Sequence, residues 1–166
     1  MPYSYPKYKE EIKQHIIETF PADMKILDVG AGGGCYAHLL REKFTHIDAL
    51  EIYEPYIEQF ELRKFYREVI IGDILDFDIS GYDYIIMGDV LEHIDFVSAI
   101  NLIGRINSME KKCLVAVPYL YHQGSFQGND AEIHLQPDLT HEVFMTRYPS
   151  MNCMWRDEEY GYYKNY

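Results

Sequence analysis

Three acids and a run of glycines are the first residues in this sequence with chemistry to offer. Asp28 closes the apolar run of "KILDV"; Gly30, Gly32, Gly33 and Gly34 follow before the chain resumes as "CYAHLL". Glu51 ends "HIDALE", 23 residues after Asp28, and Asp73 sits in "IGDILDF". Further on, "DVLEHI" spaces Asp89, Glu92 and His93 at i, i+3 and i+4. Glycine lets backbone approach a ligand closely, so the loop after Asp28 is a candidate cradle for a phosphate, a dinucleotide or a sulfonium nucleoside.

The neighbours of the glycines choose among these. A dinucleotide fingerprint, G-x-G-x-x-G, counted from Gly30 ends on Cys35. Counted from Gly32 it ends on Ala37, but then begins late after the strand. A carboxylate just before the glycines is unfavourable beside a pyrophosphate. Asp28 suits a ligand with positive charge, such as the ammonium and sulfonium of S-adenosylmethionine; its alternative role is to cap the turn. Glu51 can accept from both hydroxyls of a ribose, a role shared by NAD and S-adenosylmethionine sites. Asp73 can accept from an adenine amino group, with Ile52 and Ile74 against the ring faces, or serve only as a turn residue after Gly72.

The elements that must position these residues alternate between strand and helix. "PKYKEEIKQHIIETF" is predicted as a helix with Ile12, Ile16, Ile17 and Phe20 on one face, ended by Pro21. "KILDV", "HIDALEI", "EVII", "YDYIIM" and "KCLVAVP" read as strands. Between them lie helices from Cys35 to Lys43 with Tyr36, Leu39 and Leu40 inward, over "EPYIEQFEL", and after "DVLEHI" with Phe96, Ile100 and Ile103 on one side. This alternation implies βαβ units and a parallel sheet. "PDLTHEVFMTRY" looks helical, and "SMNCMW" and "YGYYKNY" flank the turn-like "RDEE" as a terminal antiparallel hairpin. No linker-like stretch interrupts residues 1–166, so a single domain is expected. Residues 1–22 form a helical cap, 23–118 a cofactor-binding core, and 119–166 a substrate-side loop, helix and hairpin.

"ILDVGAGGG", "DALEIYEPYI", "GDILDF" and "YDYIIMGDVLEHI" resemble, in order and interval, the cofactor motifs of class I S-adenosylmethionine-dependent methyltransferases, from about Met24 to Pro118. The resemblance implies an α/β, Rossmann-like doubly wound seven-stranded sheet, mostly parallel, with a C-terminal antiparallel hairpin. It also implies that Asp28, Gly30, Gly32 and Gly34 form the first motif, that Glu51 binds the ribose and Asp73 the adenine side, and that Gly88 and Asp89 flank methionine and substrate. The cofactor is then S-adenosyl-L-methionine and the product S-adenosyl-L-homocysteine.

Methyl transfer from a sulfonium mainly needs an aligned nucleophile, with a base only for a protonated acceptor such as a hydroxyl. His93, after the fourth strand, is the candidate base or orienter. "DVLEHI" looks like the L-E-H segment of O-methyltransferases related to ubiquinone biosynthesis. It also resembles the E-x-x-E-H metal motif of RNA 3′-end 2′-O-methyltransferases, with Asp89 in place of the first Glu. A helical turn would put Asp89, Glu92 and His93 on one face as a candidate hard-metal set, although no metal is expected to be required. The irregular stretch after Pro118 should cover the same rim, with Tyr119, His122 and His134 toward the acceptor; His134, ahead of a helix, is the second catalytic candidate.

Composition narrows the acceptor. The net charge of −12 disfavours a nucleic-acid partner, RNA included, and favours a small molecule, with an oxygen acceptor preferred. Three scattered cysteines without CxxC spacing fit a reducing cytoplasm; the N-terminal residues lack a signal peptide's basic-then-apolar order and the apolar runs are too short to span a bilayer, so neither a signal peptide nor a membrane span is expected. Sixteen tyrosines, with Tyr3, Tyr5 and Tyr8 at the start and Tyr160, Tyr162, Tyr163 and Tyr166 at the end, suit packing, an aromatic lid or a homodimer contact. The rival readings are an NAD(P)-dependent reductase and a non-catalytic S-adenosylmethionine-binding module.

Overall fold

The computed structural model describes residues 4–166, so Tyr3 and the start of the expected cap lie outside the described residues. Seven strands form one sheet: β1 (Ile26–Val29), β2 (Ile47–Glu51), β3 (Glu68–Ile71), β4 (Tyr84–Gly88), β5 (Lys112–Pro118), β6 (Asn152–Arg156) and β7 (Tyr160–Lys164). Their order is β3-β2-β1-β4-β5-β7-β6. β1, β2 and β3 pair in parallel, whereas β7 runs antiparallel to both β5 and β6. The expected Rossmann-like α/β sheet with its terminal hairpin is therefore present.

The described residues fall into two compact units, one ending at Tyr84 and one beginning at Ile85. In the first, every residue of β1 and β2 is buried. A strand covered on both faces reads as a continuous apolar run, so its acids must find partners. Asp48 does: it accepts from Arg67 Nε at 2.9 Å, from a second nitrogen of that guanidinium, and from the Tyr82 hydroxyl at 2.9 Å. Helix α1 (Lys9–Thr19) buries Ile12 and Ile16, with Ile17 half-buried. Lys43 donates to the Ile17 and Phe20 carbonyls, satisfying acceptors that the helix end would leave open. Helix α2 (Cys35–Leu40) stops short of Lys43 and buries Tyr36, Ala37 and Leu40, with Leu39 half-buried. Helix α3 (Pro55–Gln59) opens on Pro55, where a missing N–H costs nothing.

In the second unit, helix α4 (Phe96–Ser108) is capped by Asp95, whose Oδ1 accepts from the N–H groups of Val97 and Ser98 at 3.1 Å. Its buried face is Ala99, Leu102, Ile103 and Ile106, an i, i+3, i+4, i+7 set. Phe96 and Ile100, expected beside Ile103, are instead 41% and 39% exposed. The helix carries more apolar residues than one face needs, and the small Ala99 takes the inward place. The expected helix over "PDLTHEVFMTRY" reduces to α5 (His141–Arg147), because the Thr140 hydroxyl accepts from Val143 N–H and fixes a later start. Tyr160, Tyr162 and Tyr163 of β7 are buried, which makes them packing residues rather than a lid. Tyr119 joins them: its hydroxyl bonds that of Tyr163, and its ring lies over Gly161. No helix among the described residues is long and apolar enough to cross a membrane.

Candidate functional site

In the first unit, the acids singled out from sequence stand at or just beyond the carboxyl ends of successive strands. Asp28, on β1, is 2% exposed and accepts from the Tyr66 hydroxyl at 2.5 Å. Burial pushes its carboxyl up to about 7, against the Tyr66 hydrogen bond and the Lys9 charge, while Glu51 adds repulsion. The same burial and the Asp28 charge hold the Tyr66 phenol well above its ordinary value. Lys9 of α1 is itself buried, donating to the Tyr36 hydroxyl at 3.1 Å with its Nζ 4.3 Å from that ring's centroid.

Glu51, the last residue of β2, ties the glycine loop to its own strand. Its Oε2 accepts from Gly32 N–H at 3.0 Å and its Oε1 from Tyr53 N–H at 2.9 Å. Gly30, Gly32 and Gly34 have φ of 62°, 47° and 75°, left-handed backbone that a side chain would strain. Gly30 N–H donates to Leu50 O at 2.8 Å, so the loop turns directly off the strand. Asp73 follows β3, and its Oδ1 accepts from Leu75 N–H at 2.9 Å, the turn role weighed from sequence. Ile74 is buried, whereas Ile52 is half-exposed.

The second unit gathers a different set. Gly88 ends β4, and Asp89 takes φ 58°, with its N–H donating to Ala116 O at 2.9 Å. That left-handed residue breaks the helical turn expected to align Asp89 with Glu92 and His93. The short 3-10 turn covers only Leu91–His93. The residue that meets Glu92 and His93 is His134: a carboxylate oxygen and a nitrogen from each ring lie within 4.8 Å of one another. The two imidazoles meet edge-on, centroids 4.6 Å apart.

A strap holds His134 there. The N–H groups of Leu135 and Gln136 both donate to the Glu92 carbonyl, at 2.8 and 3.0 Å. The buried Gln136 amide donates to the carbonyls of Leu91 and Ile94, and its oxygen accepts from Tyr148 and Arg147. Burial and the His134 charge push His93 down to about 4, and burial also lowers His134. Glu92, fully buried near Asp89, is held well above the carboxylate range. Sequence reasoning missed Tyr66, Lys9 and Gln136. Tyr66 and Lys9 lie far from Asp28 along the chain, and no local pattern marks them.

These features have a family. The chain matches, over residues 4–142, the family described as a methyltransferase domain. It belongs to that family. Solved structures similar to this methyltransferase domain share its fold. An S-adenosylmethionine-dependent methyltransferase from Clostridium acetobutylicum ATCC 824 gives a TM-score of 0.69 at 13% identity, covering 98% of this chain and 91% of that one. The Burkholderia thailandensis 1,6-didemethyltoxoflavin-N1-methyltransferase, with 1,6-didemethyltoxoflavin and S-adenosylhomocysteine bound, gives 0.67 at 13% identity, over 95% and 77% of the two chains. A Bacteroides fragilis S-adenosylmethionine-dependent methyltransferase in complex with S-adenosylhomocysteine gives 0.66 at 16% identity, over 96% and 76%. At such identities the likeness establishes fold. No curated protein matches the sequence significantly.

Proposed function

We propose that this methyltransferase domain uses S-adenosylmethionine to methylate a small molecule, at an oxygen, in the cytoplasm. The observation that carries the cofactor assignment is the pair of buried carboxylates at neighbouring strand ends, Asp28 and Glu51, one of them joined to the glycine loop. The donor set fits that cofactor. Asp28 is a nearly inaccessible carboxyl poised near neutrality, and a cationic ammonium or sulfonium beside it would restore its charge. Glu51 already accepts two backbone N–H groups, and each carboxylate oxygen has a second lone pair for a ribose hydroxyl. Asp73 can accept from the adenine amino group, between Ile74 and Ile52.

The cofactor supplies an activated methyl group; this chain's residues hold the acceptor. Asp28, Glu51 and the glycine loop would hold that cofactor, which when bound would supply its methyl group to the acceptor oxygen. A hydrogen bond from the acceptor hydroxyl to an imidazole would orient its oxygen, and the proton would pass on to water. His93 and His134 are the groups for this. Both Nδ1 atoms face backbone carbonyls, those of Ile133 at 3.3 Å and Tyr121 at 2.8 Å. A carbonyl only accepts, so each Nδ1 carries hydrogen and each Nε2 keeps its lone pair. With His93 down at about 4, it is neutral at pH 7 but weakly basic, which makes it an orienting acceptor rather than a strong base. Orientation alone can remove about 7–11 kcal/mol of a barrier.

The test is a panel of hydroxylated, amine and thiol small molecules incubated with the protein and S-adenosylmethionine carrying a labelled methyl. Label on an oxygen acceptor, with turnover lowered about 100-fold by His93→Gln at unchanged cofactor affinity, is the expected result. Label transferred only to nitrogen or sulfur, or only to RNA, would replace the acceptor assignment and leave the cofactor assignment intact.

A further inference from the structure

Glu92 is 1% exposed, and among the described residues neither oxygen of its carboxylate has a hydrogen-bond partner. A buried carboxylate with nothing to bond is costly, and such groups are normally paired or bound to a metal. Two imidazoles stand against it. One Glu92 oxygen and a ring nitrogen from each of His93 and His134 lie within 4.8 Å of one another. The carbonyls of Ile133 and Tyr121 each take the Nδ1–H of one ring and leave its Nε2 lone pair available, the way a backbone carbonyl orients a metal-ligating histidine. The Gln136 strap then holds the two segments together.

We propose that Glu92, His93 and His134 bind a divalent first-row transition-metal ion of the zinc or cobalt type. Two nitrogens and one oxygen favour such an ion over magnesium or calcium, which take oxygen shells. Tetrahedral bonds of about 2.1 Å put ligand atoms about 3.4 Å apart, so closure from the present spacing needs side-chain shifts of about 1.4 Å at most. Three protein ligands leave a position open. With the ion in place both imidazoles are ligands, and neither orients the acceptor directly. The ion and the acceptor hydroxyl compete for the same two Nε2 lone pairs, so a bound ion replaces the orienting role proposed for His93 and His134 and leaves the cofactor assignment untouched.

The experiment is a titration of the full, chelator-treated chain with cobalt(II) chloride, followed by visible absorption and thermal unfolding. One equivalent should bind with the ligand-field bands of a nitrogen–oxygen site, raise Tm and be displaced by zinc. Glu92→Gln and His134→Gln should each weaken binding about 100-fold. Should either variant not fold, pulsed electron paramagnetic resonance on the copper(II)-loaded wild-type chain counts the bound imidazoles. Two imidazoles support the site; one or none overturns it. Absence of binding at millimolar cobalt, undiminished binding in both variants, or a sulfur-to-cobalt charge-transfer band marking a cysteine ligand would also overturn it.

Discussion

The Tyr66 hydroxyl donates to the Asp28 carboxylate at 2.5 Å, and both side chains are almost wholly shielded from water. With the Asp28 carboxyl pushed up to about 7 by burial, the site carries a proton that a cationic cofactor must expel. Affinity for S-adenosylmethionine should therefore rise with pH through about 7 and level off above it. The expected change is roughly tenfold between pH 6 and pH 8, removed in Asp28→Asn, which should also bind more weakly. Calorimetric titration in buffers of different ionisation enthalpy, which reads proton release directly, checks it. A flat profile would mean that Asp28 does not face the cationic group.

His93 supplies a second pH dependence, of stability rather than affinity. Its folded value, about 4, lies below the ordinary 6.5, so between these limits the unfolded chain binds a proton that the folded chain rejects. Stability should fall as pH drops from 6.5 toward 4. Relative to His93→Gln, the chain should lose about 2 kcal/mol between pH 7 and pH 5 in urea unfolding. Equal losses in both proteins would contradict the burial argument.

Gly161 faces Tyr119 so closely that an added Cβ would sit 2.8 Å from Tyr119 Cζ and 2.8 Å from Tyr163 Cε2. In an ordinary strand, alanine is better than glycine. Here Gly161→Ala should destabilise the fold by about 1–3 kcal/mol through overpacking. The penalty should shrink in the Tyr119→Ala background, a coupling that a double-mutant cycle measures. Additive effects would show that the ring is not what excludes the side chain.

The contrast between these residues explains what the sequence could reveal. The order of strands and helices was readable because apolar periodicity is local, and the acids at strand ends were readable because glycine and carboxylate spacing is local too. Tyr66 and Lys9 were not, since each reaches Asp28's surroundings only once separate elements have packed. The Asp89–Glu92–His93 face failed for a backbone reason: spacing assumes helical φ throughout, and Asp89 is left-handed. His134 entered the cluster instead because Gln136, an unremarkable residue in sequence, binds the carbonyls of the turn that carries His93. Tyr119, expected on the acceptor side, was claimed by Tyr163 and the gap above Gly161.

The most direct test of the central claim is calorimetric titration of the full chain with S-adenosylmethionine, S-adenosylhomocysteine and NADPH, repeated on Glu51→Ala. Glu51 both anchors the Gly32 amide and offers lone pairs to a ribose, so its loss should weaken S-adenosylmethionine and S-adenosylhomocysteine binding by about 1.5–3 kcal/mol or more. The account expects saturable binding of those two ligands by the unsubstituted chain, that loss in the variant, and no binding of NADPH. Binding of NADPH alone would contradict it and make the glycine loop a dinucleotide site.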